Sequence, residues 1–215
     1  MSKQPSFAWA RLIGGSVAPP AGSQSITELV ELLSRDLASG AMVALGFEAP
    51  LFIPVPPTER PECLSQRREN EGQRSWSAPA GGYVATLAIH QAAWLLQAIA
   101  PSRPSTCAFT LDASSWAIGH ETGLLLCWEA FVSEAAHASK ADPQRHLRDA
   151  ATAAVWFRTC ETDLTAHHAV RAKHCLSLIG AAALWSGWCT DVGALHNEAL
   201  VLRPSTRYEG AIVGI

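Results

Sequence analysis

Two runs constrain the fold of this chain more than anything else in its sequence. Ala41-Met-Val-Ala-Leu-Gly-Phe-Glu48-Ala-Pro50 and Leu124-Leu-Leu-Cys-Trp-Glu129-Ala-Phe-Val132 are almost continuously apolar, and each carries a single carboxylate. Short apolar runs without alternation fit strands covered on both faces, as in a parallel or mixed sheet packed between helices. The segments around them read as helices. Ser25 and Glu28 form a capping box, in which the hydroxyl accepts from the Glu28 amide. Leu29, Val30, Leu33 and Leu37 follow at helical spacing and Gly40 lies just past the end, which predicts a helix over Ile26 to Ser39. A second helix is expected from Tyr83 to Ile99, stopped by Pro101 and Pro104. A third is expected from Asp142-Pro143 to about Thr159, and an Ala-rich helical region over Asp163 to Leu184. Phe7 to Val17 can supply one strand at most, and Glu198 to Arg203 reads as a short terminal strand. Helices alternating with buried strands imply an α/β fold. The expected architecture is one layered domain over residues 1–215, with a central mixed sheet flanked by helices.

Composition narrows the function classes. Hydrophobic residues make up 48% of the 215 and charged residues only 16%, with a formal net charge of −3. A chain this apolar and this sparingly charged folds, rather than remaining disordered. It carries no global positive field to draw it to nucleic acid or anionic lipid. The N-terminus has no uninterrupted apolar core of signal-peptide length. No run approaches the ~18 consecutive apolar residues of a membrane span. Cysteines 63, 107, 127, 160, 175 and 189 form no CxxC pair. The expectation is a reduced, cytoplasmic protein without a membrane partner.

Three acids stand out because their neighbours are apolar: Glu48, Glu129, and Asp149 in Arg148-Asp-Ala-Ala-Thr-Ala-Ala. A carboxylate is rarely left in apolar surroundings without a partner. Three of them at two strand ends and an adjoining helix would form an oxygen-rich site for Mg²⁺ or Mn²⁺, which supports phosphodiester cleavage. The plainer reading is that each acid is solvated or paired with a neighbour such as Arg148. From Thr58 to Arg74 the chain is densely charged, and Arg67, Arg68 and Arg74 are candidates to grip substrate phosphate. The alternative is a loop neutralised by its own glutamates.

Val-Ala-Leu-Gly-Phe-Glu48-Ala-Pro-Leu resembles the "IDAPLG" strand of an uncharacterised branch of the RNase H-like superfamily. Leu64-Ser-Gln-Arg67-Arg68-Glu-Asn-Glu is similar to that branch's polar loop, and Trp128-Glu129-Ala-Phe-Val to its later strand. Arg148-Asp149-Ala-Ala-Thr-Ala-Ala is similar to its "DAxxxA" helix. The resemblance spans roughly residues 25 to 160. It implies an RNase H-like fold and a metal-dependent nuclease or phosphodiesterase, with Glu48, Glu129 and Asp149 as catalytic metal ligands and a nucleic acid or nucleotide as partner. The superfamily opens on a strand bearing an essential Asp. The residues before Ser25 contain none, so the N-terminal strand region reads as reduced. The alternative function is a non-catalytic binding or scaffold protein that keeps the fold without the metal.

Other features point to weaker sites. His167, His168, His174 and Cys175 carry zinc-ligating side chains at a spacing that fits no zinc pattern. Asp112, Ser114, Ser115 and His120 suggest a hydrolase, but no GxSxG elbow occurs. Trp94, Trp128 and Trp156 read as core. The Trp- and Ala-rich region from Leu176 to Arg203 reads as a surface for a homodimer.

Overall fold

The computed structural model describes residues 7–73, 75–119, 123–132 and 142–214. Strands β1 (Trp9–Arg11) and β2 (Ala21–Ser23) form an antiparallel pair and lead into α1 (Ile26–Ala38). Half of the expected capping box forms: the Ser25 side chain accepts from the Glu28 amide at 3.3 Å, whereas the Ser25 amide donates to the Ser23 hydroxyl at 3.1 Å rather than to Glu28. Leu29, Leu33 and Leu37 are buried along one stripe of α1. Gly40 takes a left-handed φ of 76°, which ends the helix and turns the chain into β3 (Met42–Phe47).

β4 (Phe52–Pro54) follows, then the proline- and charge-rich stretch, then the long helix α2 (Pro79–Ile99). Next come β5 (Ala108–Thr110), the short α3 (Ala113–Ile118), β6 (Leu124–Ala130) and α4 (Arg145–Cys160). The chain closes with β7 (Cys175–Ser177), α5 (Leu178–Trp185), β8 (Leu200–Leu202) and β9 (Val213–Gly214).

The two apolar runs are adjacent parallel strands. β6 is central, and all seven of its residues are buried. β3 lies along one edge, with Met42 opposite Leu124 and Phe47 opposite Glu129. The other edge of β6 is shared by β5, against Leu124 to Leu126, and β8, against Trp128 to Ala130. All these pairings are parallel, and among the described residues no strand pairs with the outer edge of β3.

Side chains alternate across the sheet. Val43, Leu45, Leu125, Cys127 and Val201 face a core shared with α1, α2 and α5. Leu126, Trp128, Ala130, Leu200 and Leu202 face the other way, against Ala153 and Phe157 of α4.

The fold class is therefore α/β in layers, with three corrections. The sheet is not a single central one: β1, β2 and β9 form a second, and β4 and β7 a third. Asp163 to Leu184 is not one helix, because the stretch after α4 is largely irregular and extended before β7, and Ser177 then caps the short α5 by accepting from the Gly180 amide at 3.2 Å. Trp94 is not core: it stands 45% exposed on α2, with Tyr83 and Leu87 on the same outer face.

Helix Pro79–Ser102 is long and apolar enough, by length and composition, to cross a membrane. It also packs against α1 and α5 and buries Ala92, Leu95, Leu96 and Ile99 in the core. All six cysteines are free thiols. Of the tryptophans in the region from Leu176 to Arg203, Trp188 is buried in the core and donates from its indole to the Leu96 carbonyl at 2.8 Å, whereas Trp185 is 65% exposed.

Candidate active-site cleft

Glu48 directly follows β3, at the carboxyl end of a parallel strand, where ligands of layered α/β proteins gather. Asp149 sits on α4. Asp149, Ala153, Phe157 and Cys160 recur at helical spacing and are all buried, so the carboxylate rides on the stripe that packs on the sheet. Small Ala side chains on this helix let it approach closely. Glu48 and Asp149 line one cleft of about 1130 Å³, together with Arg145 and His146 from the first turn of α4. Its floor includes Gly46 and Trp128, and its far wall comes from β1 and α2. Arg148 turns away to Asp142 at 3.0 Å. The Asp142 carboxyl is held below its usual range, first by the Gln144 amide and then by Arg148.

Glu129 is not part of this cleft. Its register partner is Phe47, so it shares Phe47's face of the sheet, while Gly46 and its partner Trp128 share the other. The carboxylate is fully buried and both oxygens are engaged. Arg68 donates to Oε2 from Nη1 at 2.6 Å and to Oε1 from Nη2 at 2.8 Å. The Leu51 amide donates to Oε2 at 3.0 Å. Burial pushes the Glu129 pKa up, and Arg68 acts against that rise. Burial alone would lower the pKa of Arg68, but Glu129 and Glu71 outweigh it and raise the net value, so the guanidinium keeps its charge.

Glu71 completes the network. Its Oε1 accepts from Arg68 Nε at 3.0 Å and from the Trp76 amide at 2.8 Å, and its Oε2 accepts from the Arg68 amide at 3.1 Å. The guanidinium also lies 4.7 Å from the centroid of the Phe52 ring. This buried network pins the charged loop to the central strand.

The candidate residues therefore separate. Glu48 and Asp149 both line one cleft, which Glu129 does not. Arg68 is spent on Glu129 and Glu71 rather than facing a substrate. Arg67 is exposed and donates to the Gly72 carbonyl at 3.0 Å. Arg74 and His120 lie outside the described residues. Asp112 is the cap of α3, accepting from the Ser114 amide at 2.9 Å. Among the described residues, no group of three or more His, Cys, Asp or Glu side chains is placed to hold a metal ion.

Glu71 belongs to the glutamates expected to neutralise this loop, but its pairing with Arg68 is buried rather than solvated. Sequence reasoning missed the ion pair between Arg11 and Asp36 at 2.6 Å, which ties β1 to α1 beside the cleft. Comparison of this chain with protein-family models, with curated proteins and with solved structures found no match.

Proposed function

We propose that this chain is a divalent-cation-dependent phosphodiesterase of RNase H-like type, acting on a nucleic acid or nucleotide in the cleft between β3 and α4. One observation carries the reading: Glu48, directly after the edge strand β3, and Asp149, on α4, whose buried face packs against β6 and β8, line the same cleft. Two carboxylates fit Mg²⁺ or Mn²⁺. Mg²⁺ keeps several of its waters and is commonly held by one or two protein carboxylates plus substrate phosphate. The chemistry such an ion supplies is Lewis-acid polarisation of a phosphoryl oxygen. Arg145, at the same cleft, provides a planar forked donor for a phosphate oxygen. Glu129 leaves the metal set in this reading and serves as a positioning group for the loop that carries Arg68.

A specific observation favours a second reading, a non-catalytic binding protein that keeps the fold. Glu129, the third acid the resemblance would assign to the metal, is fully engaged by Arg68 and the Leu51 amide. Thermal melting with and without millimolar Mn²⁺ tests the metal site directly, because a ligand that binds only the folded state raises the melting temperature. The phosphodiesterase reading expects a rise in wild type that Glu48→Ala abolishes, and Mn²⁺-dependent cleavage of a phosphodiester substrate. No rise, or an equal rise in both proteins, removes the metal reading. A rise lost in Glu48→Ala but without cleavage leaves the binding protein.

A further inference from the structure

We infer that the pocket at the carboxyl end of β5 binds a small oxyanion through Lys173, Arg171 and His168. This site is separate from the cleft and does not rest on the function proposed for it. The pocket has a volume of about 570 Å³ and shares no lining residue with the cleft. Three segments meet there: the turn from β5 into α3 with Asp112, the stretch from His168 to Lys173, and the approach to β8 with His196 and Glu198. Ligands of parallel sheets gather at such strand ends.

Its charged groups sort into two sets. The acids are already satisfied by the protein. Asp112 accepts from the Ser114 amide at 2.9 Å and the Ser114 hydroxyl at 2.5 Å. Glu198 accepts from Arg171 Nη1 at 3.1 Å and from the Ala172 amide at 2.9 Å. The remaining groups are cationic or lack a partner. Lys173 is exposed and makes no ion pair among the described residues. Arg171 is 44% exposed and spends one nitrogen on Glu198, leaving others to donate. The His168 side chain is only 8% exposed, and its Nε2 has no hydrogen-bond partner among the described residues. A buried polar atom without a partner is costly, so a ligand that supplies one is favoured there. An oxyanion suits what remains, because its oxygens accept from an ammonium and a guanidinium together.

The surroundings of His168 add a proton to the binding event. Burial first, then the charge of Arg171 and more weakly Arg68, hold its pKa below the usual value; Glu198, 4.0 Å away, and the Val170 backbone pull the other way. Asp112, Lys173 and His196 are the other ionisable groups lining the pocket. An oxyanion arriving beside the ring offsets the two arginines. His168 then takes up a proton and can donate from Nε2, so binding tightens as pH falls.

Sulfate is the probe, since it does not titrate in this range, with chloride used to hold ionic strength constant. Histidine ring signals of the full chain are followed by NMR, the His168 signal being identified by its loss in His168→Gln. The expected result is saturable shifts at His168 and His196, with tighter binding at about pH 6 than at about pH 8. Lys173→Ala, at an exposed position, should weaken binding about tenfold, the scale of one charge-assisted hydrogen bond. Arg60→Ala, at an exposed arginine outside the pocket, should leave it unchanged. Shifts that grow linearly with sulfate overturn the inference. So does saturation that is equal in Lys173→Ala, or binding that does not tighten at the lower pH.

Discussion

Arg68 and Glu129 are 61 residues apart in sequence and meet in a buried bidentate ion pair, at 2.6 and 2.8 Å. The side chains are 0% and 1% exposed. A pair this buried is replaceable by apolar groups at little cost, but removing one partner strands the other charge away from water. Arg68→Ala should therefore lower unfolding stability by about 3–5 kcal/mol. Arg67→Ala, next in sequence but exposed, should change it by less than about 0.5 kcal/mol. Urea denaturation followed by tryptophan fluorescence separates the two. Equal midpoints would mean that the loop is not anchored by Arg68.

His168 makes stability depend on pH in a defined direction. Burial of the ring holds its pKa in the folded protein below the ordinary histidine value of about 6.5. Between the two values the unfolded chain binds more protons than the folded one, so stability falls as pH drops through that window and is fully present above it. His168→Gln carries no such proton and should show a flatter stability profile below about pH 6.5. Denaturation midpoints at a series of pH values measure the slope. A wild-type profile as flat as the variant's would contradict the burial of a neutral imidazole.

Gly46 lies on the cleft floor because Trp128 lies over it. A Cβ at this position would stand 2.5 Å from Trp128 Cζ2. The ring has little room to yield: it is 3% exposed and packs at a 35° tilt against Phe157, with centroids 5.1 Å apart, and Phe157 in turn meets Trp116 at 5.5 Å. Gly46→Ala should cost about 1–3 kcal/mol, as overpacking does, and should alter tryptophan emission. Gly14→Ala, with nothing within 4 Å, is the control. Matching stabilities would show that the ring shifts freely.

The chain announced its central strands plainly and its site only in part. Continuous apolar runs over Met42–Phe47 and Leu124–Ala130 identify strands buried on both faces, and they became adjacent parallel strands. The same continuity erases the alternation that would say which way each residue points. Register alone decides that Phe47, and not Glu48, stands opposite Glu129, and a one-residue slip would have put both acids on one face. Asp149 was legible because its apolar neighbours on α4 repeat at helical spacing. The region from Asp163 to Leu184 misled, because Ala-rich composition favours a helix while its backbone bonds elsewhere. Glu69 and Arg171 exchange backbone hydrogen bonds at 2.8 and 3.3 Å, and that long-range pairing holds the stretch extended. Arg68 looked like a phosphate contact because nothing local tells a solvated arginine from one drawn inward by a distant carboxylate.

Glu48 and Asp149 should behave as one unit toward a divalent cation. If both carboxylates hold the same ion, losing either removes most of its binding energy, and losing the second removes little more. Neighbouring groups that share a partner are non-additive in this way, whereas independent sites add. Saturating Mn²⁺ stabilises the folded state by about 2.7 kcal/mol at a hundredfold excess over the dissociation constant. Glu48→Gln and Asp149→Asn should each abolish nearly all of that increment, and the double variant should resemble either single one. Asp149 is buried, so its replacement will also shift stability without metal. The quantity to compare is therefore the Mn²⁺-induced change within each protein, not the absolute melting temperature. Increments that halve in each single variant and vanish only in the double would mean two separate weak sites, and the shared-ion arrangement would then be wrong.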